Sequence, residues 1–97
     1  MIHKLQNHSN HFTIVSNHYL QNKQLSWSAK GLLTYLLSLP ADFKVNLAYI
    51  KTVSLDGIHS TRSALRELEQ HGHCKKVVKR EGGFIVYQDF EIYENPQ

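Results

Sequence analysis

Between Gly57 and Gly72 the chain reads GIHSTRSALRELEQHG. Ile58, Thr61, Leu65 and Leu68 recur there at three- and four-residue spacing, with Ala64 at the edge of the set. That period predicts an amphipathic helix from about Ile58 to His71, buried along one stripe. His59, Ser60, Ser63, Arg66, Glu67 and Gln70 fall on the opposite face, with Arg62 on its flank. Gly72 suits the position after such a helix, because it tolerates the left-handed conformation that closes a helix end. A hairpin is expected next: a strand from His73 to Arg80, a tip at Glu81-Gly82-Gly83, and a return strand from Phe84 to Tyr93. Phe84, Val86 and Gln88 alternate with Ile85, Tyr87 and Asp89, and the pattern then breaks, so a register change or bulge is expected near Asp89.

Upstream, residues 1–11 are polar and rich in Asn and His, which predicts a flexible N-terminal arm. Phe12–Val15 is a short β-prone run, and Asn17–Gln24 has room for a short turn of helix. Ser26 is a good N-cap for the helical segment SWSAKGLLTYLLSL. Trp27, Leu32, Leu33, Leu36, Leu37 and Leu39 make its inward face. Gly31 costs helix stability, which suggests a close helix contact, and Pro40 ends the segment. Asn46 can cap a second short helix, LAYIKTV, with Leu47, Ile50 and Val53 turned inward. Ser54-Leu55-Asp56-Gly57 is the turn into the third helix. The expected order is strand, helix, helix, turn, helix, strand, strand. It describes an α+β domain over residues 12–97, laid out as a winged helix-turn-helix: three helices, a C-terminal β-hairpin wing and a short N-terminal strand.

Ninety-seven residues make one domain. The net charge of +3 and pI near 9.1 are mildly basic, but the distribution is uneven. Residues 57–80 carry Arg62, Arg66, Lys75, Lys76, Lys79 and Arg80 against Glu67 and Glu69, whereas residues 81–97 carry Glu81, Asp89, Glu91 and Glu94 with no basic residue. Positive charge therefore gathers on the third helix and the first hairpin strand. Cys74 is the one cysteine, so no intrachain disulfide forms. No apolar run approaches membrane-spanning length and the first residues lack the apolar core of a signal peptide, so a cytoplasmic location and no membrane partner are expected.

A helix that reads base edges needs short polar groups near its N-terminus and a packed rear face that sets its angle. His59, Ser60 and Ser63 supply the short groups, and Arg62 and Arg66 can pair with guanine or with phosphate. Lys75, Lys76, Lys79 and Arg80 suit backbone contacts, which position a duplex without reading it. These nine residues form the expected DNA site. Glu67 on the free face counts against it. The same helix face is also what an ordinary solvated surface holds, and edge lysines commonly protect a strand from aggregation. His71-Gly72-His73-Cys74 lacks a second ligand cluster at zinc spacing, so no metal or other cofactor is expected, and Cys74 is expected to be a small buried residue. With no phosphate loop, nucleophile elbow or framed carboxylate pair, no enzymatic activity is expected.

Phe12-Thr13-Ile14-Val15, Leu25 through Leu33 (LSWSAKGLL) and Tyr35-Leu36-Leu37-Ser38-Leu39-Pro40 resemble the opening of the winged-helix domain of phage and plasmid replication initiators and replisome organisers. Gly57–Gly72, in the form G-x-x-S-x-R-x-A-L-x-x-L-E-x-x-G, and the close Phe90-Glu91-Ile92-Tyr93-Glu94-Asn95-Pro96 resemble it too. The resemblance spans roughly residues 12–96. It implies double-stranded DNA binding in replication initiation or transcriptional regulation of a mobile element, with the third helix as reader and residues 75–84 as wing. By position, its contacts fall on Ser60, Arg62, Ser63 and Arg66. Thr52-Val53-Ser54 and His73-Cys74 depart from the family pattern.

The alternative is a winged-helix module that binds a replication or host protein rather than DNA. Its surface would be the acidic, aromatic end: Tyr87, Tyr93, Glu91 and Glu94. A homodimer through the arm and first helix is compatible with either reading.

Overall fold

The computed structural model describes residues 1–5 and 11–97, with residues 85–88 described by their backbone alone. The chain is α+β, with four helices and one three-stranded mixed sheet among the described residues. In chain order the elements are β1 (Ile2–His3), α1 (Asn17–Leu20), α2 (Trp27–Leu37), α3 (Leu47–Ile50), α4 (Ile58–Gln70), β2 (Cys74–Glu81) and β3 (Phe84–Tyr93).

Helix ends follow local chemistry. Ser16, Ser26 and Asn46 sit at the N-caps of α1, α2 and α3, and their side-chain oxygens accept from His18, Ala29 and Tyr49 N–H. The C-terminus of α4 closes in a Schellman pattern: Gly72 N–H donates to the Glu69 carbonyl and His73 N–H to the Leu68 carbonyl. Gly72 takes the required left-handed conformation at φ 81°.

The sheet order is β1-β3-β2, with β1 parallel and β2 antiparallel to the central β3. Gly82 and Gly83, both at positive φ, form a two-residue tip between the paired Glu81 and Phe84, as a type I′ turn requires. Val45, between α2 and α3, adds an isolated antiparallel bridge to Phe90. The core gathers Tyr19, Leu25, Ala29, Leu33, Leu36, Leu37, Val45, Ile50, Leu65, Leu68, Phe90 and Ile92 from every layer.

Several expectations need correction. The N-terminal strand is Ile2–His3, not Phe12–Val15, which has no regular structure. Ile2 is buried and pairs with Ile92, whereas Phe12 and Ile14 are exposed, so the burial that makes a strand goes to Ile2. The start of the expected arm is thereby part of the sheet, and its residues 6–10 lie outside the described residues. Met1 ammonium and His3 both reach Glu91, at 2.9 and 3.2 Å. Burial raises the Glu91 carboxyl, but the Met1 ammonium and the contact with His3 outweigh it and the net shift is downward. His3 also stacks on Tyr93 at 4.6 Å.

Four helices replace three, because Ser16 caps a one-turn α1 whose Tyr19 is fully buried. Trp27 is not inward but 86% exposed. It starts the first turn of α2, and Leu25, just before the N-cap, takes the buried place instead. Gly31 makes no close contact: a Cβ there would meet nothing within 4 Å. Val53 is exposed because α3 ends at Ile50. The register shift lies between Lys79 and Arg80, opposite Tyr87 and Ile85, so the extra residue is Val86 rather than one near Asp89. The expected facing pattern of residues 85–88 lies outside the described side chains.

His73 joins α4 to β2 and is fully buried. Its Nδ1–H donates to the Tyr93 carbonyl at 2.9 Å, and its Nε2 has no partner among the described residues. The Tyr19 ring meets it edge-on at 5.9 Å. Burial holds the imidazole below its ordinary pKa, against the Tyr93 hydrogen bond, and His18 and His71 push the same way as burial. The folded state therefore keeps His73 neutral, while the unfolded chain takes a proton below about pH 6.5. The stability linked to this group is present above that pH and is lost as pH falls below it. Urea midpoints measured from pH 7.5 to pH 5 should fall with acidification, and His73→Gln should flatten that dependence.

Candidate functional site

The rear face of α4 is set by burial of Thr61, Ala64, Leu65 and Leu68. At 3.6 residues per turn this rotates His59, Ser63, Arg66 and Gln70 to the outermost ridge. His59, Ser60, Arg62, Ser63 and Arg66 are all exposed, as expected. Ser60 and Arg62 lie on opposite flanks of the ridge. Ser60 borders the side facing α2, and Arg62 the side facing β2.

The hairpin cations are exposed as well: Lys75, Lys76, Lys79 and Arg80. Among these four, Lys76 is the one that shares a groove with α4. Lys76 lines a groove of about 260 Å³ with Arg62 and Arg66, floored by Leu65 and Phe90 and edged by Glu69. The structure thus brings Arg62, Arg66 and Lys76 together, and leaves Lys75, Lys79 and Arg80 outside that groove. Lys79 pairs loosely with Glu81 at 4.0 Å, both well exposed, an interaction worth little. Among the described residues no carboxylate forms an ion pair with Arg62, Arg66, Lys75, Lys76 or Arg80.

Glu67 is not a free acidic group on the reading face. Its carboxylate accepts from Ser26 N–H and from Ser26 Oγ–H, the latter at 2.8 Å. Ser26 Oγ in turn accepts from Ala29 N–H at 3.1 Å. Glu67 thereby places its charge at the positive end of the α2 dipole and ties α4 to α2. Glu67 keeps its charge, but its carboxylate is held toward the α2 N-terminus rather than at the outer ridge of α4.

The acidic end behaves differently from expectation. Glu94 is 1% exposed and accepts from Leu5 N–H at 2.8 Å and Ser16 N–H at 2.7 Å. It pins the segment before α1 to the end of β3. Tyr93 is half-buried against His3, and Glu91 is occupied by Met1 and His3. The expected protein-binding surface is therefore corrected: Glu94, Tyr93 and Glu91 are consumed within the fold, and the Tyr87 side chain lies outside the described residues. Cys74 is buried, and burial pushes its thiol up to about 12, so it is a packing residue and not a thiolate. Among the described residues no group of three or more His, Cys, Asp or Glu converges to hold a metal ion, and no helix is long and apolar enough to cross a membrane.

A second concavity went unanticipated. It measures about 470 Å³ and lies between α2, α3 and the start of α4, lined by Trp27, Leu32, Tyr35, Ile50, Val53 and Ser60. Lys30 Nζ sits 5.0 Å from the Trp27 ring centroid. Its signal in the sequence was the lone Trp in the first turn after an N-cap, a position that burial of the following turns leaves outside. Gln70, expected on the free face but not among the DNA contacts, is exposed at the late end of the same ridge.

No protein-family model, curated protein or solved structure matches the chain.

The Glu67–Ser26 pair has a direct test. Glu67→Ala should destabilise the chain by about 0.5–2 kcal/mol, the range of a lost helix cap, in urea denaturation. Ser26→Ala should give a similar loss, and the double variant less than the sum, because the two act as one unit.

Proposed function

We propose that this chain is a winged helix-turn-helix domain that binds double-stranded DNA sequence-specifically, in replication initiation or transcriptional regulation of a mobile element. In support, α2, the Val45–Phe90 bridge, α3, α4, β2 and β3 follow one another in the order of that fold. The single observation that carries the DNA reading is the groove shared by Arg62 and Arg66 of α4 and Lys76 of β2. Cations from two elements that converge with no ion-pair partner among the described residues suit a phosphate backbone running past a helix in the major groove. The engagement of Glu67 with Ser26 draws the carboxylate that spoke most against it toward the α2 N-terminus. The mobile-element role rests on the family resemblance of the sequence alone.

A second reading keeps the frame and binds a replication or host protein instead. The Trp27 groove favours it, since an exposed Trp beside a concave apolar surface is common at protein interfaces. The two readings separate in one experiment. The DNA reading expects binding to mixed duplex fragments that weakens linearly in log–log with salt. Arg62→Ala with Arg66→Ala should lower that affinity at least tenfold at about 0.1 M salt, and Trp27→Ala should leave it within about twofold. Absence of duplex binding at low salt contradicts the DNA reading and favours a protein partner.

A further inference from the structure

The cations of the proposed interface do not all face the same way, and their placement divides the labour among them. On α4 the ridge farthest from the buried stripe carries His59, Ser63, Arg66 and Gln70, while Arg62 turns to the flank that faces β2. Lys76 faces Arg62 across the groove from the hairpin side. The groove is concave and its floor is apolar, formed by Leu65 and Phe90. Cations over such a floor act on a nearby anion with less screening than on an open surface. A base edge is flat, lies deep in the duplex and is reached by a protruding ridge. A phosphate is a compact anion on the rim of the groove that the helix enters, and it is reached from the helix flank.

We infer that the groove between α4 and β2 is a clamp for one DNA backbone phosphate, held by Arg62 and Lys76, and that sequence is read by the ridge of α4 around Ser63. The inference rests on the DNA reading above. Arg66 borders both regions and lines the groove as well. Glu69 is the one acidic residue in the lining, set against three cations. Arg62 and Lys76 come from elements joined through the buried His73, so the spacing of the clamp is fixed by the fold before DNA arrives.

The test uses the intact chain and two probes: a duplex library with a randomised centre, for relative preference, and one mixed-sequence duplex, for absolute affinity by fluorescence anisotropy. Arg62→Gln and Lys76→Gln should each lower absolute affinity about tenfold at about 0.1 M salt and reduce the salt slope by about one, the effect of one lost phosphate contact. Both should keep the wild-type library preference. Ser63→Ala should change that preference at one or two positions while leaving the salt slope intact. A methylphosphonate walked through the duplex should find one position where neutralising the phosphate weakens the wild-type protein and has no further effect on Arg62→Gln or Lys76→Gln.

The inference is overturned if either clamp variant alters the library preference, which would make that residue a base reader, or if either leaves absolute affinity unchanged. If the wild-type protein retains no duplex at low salt, the DNA reading itself fails. Circular dichroism and the urea midpoint of each variant, matched to wild type, separate lost contact from lost fold.

Discussion

The burial of one stripe of α4 is the constraint on which the rest of the molecule depends. Leu65 and Leu68 carry most of it, at about 1.5–3 kcal/mol for each buried leucine, and Thr61 and Ala64 fill the narrower gap toward α2. Once these side chains are inside, rotation of the helix is no longer free. The outward ridge of His59, Ser63, Arg66 and Gln70, and the flank positions of Ser60 and Arg62, follow from helical geometry alone. The far end is fixed just as firmly. Gly72 closes the helix, and His73 turns the chain into β2 while its ring and backbone both bond to Tyr93. Helix and hairpin thus meet at a set angle, and the groove between them is a product of the core.

Charge is arranged around that frame in two ways. Acidic groups are consumed internally: Glu67 by Ser26, Glu91 by Met1 and His3, Glu94 by Leu5 and Ser16 N–H. Among the described residues Arg62, Arg66, Lys75, Lys76 and Arg80 are left without ion-pair partners, and Lys79 has only a loose, exposed pair with Glu81. Hydrogen bonds from neutral donors leave the Glu67 and Glu94 charges in place while aiming them at backbone N–H groups, and Glu69 and Glu81 stay exposed beside the cations.

What was legible in the sequence follows the physics of each signal. The extent of α4, its inward stripe, the serine and asparagine caps, and the glycine hairpin tip depend on local periodicity and backbone chemistry, and they stand as expected. The N-terminal strand was misplaced because Ile2-His3 is too short to show a period and earns its structure by pairing with Ile92 and Tyr93, ninety residues away. Hydrophobicity predicts burial in bulk and so points Trp27 inward, whereas its position in the first turn of α2 leaves it outside. The roles of Glu67 and Glu94 are carried by partners 41 and 78 residues distant and leave no local trace. The exposed site residues on α4 were legible for the same reason as its core face. Which of the hairpin cations would join them was not, because that depends on how β2 meets α4 in space.

Chemical-shift mapping of the isotope-labelled chain, titrated with a short mixed-sequence duplex at low salt, tests the central claim most directly. The account predicts one continuous footprint on the outer face of α4 and the first residues of β2, including Arg62, Ser63 and Lys76, with β1 and the Trp27 indole unmoved. A footprint confined to Trp27 and its groove, or no footprint on α4 at all, would contradict it.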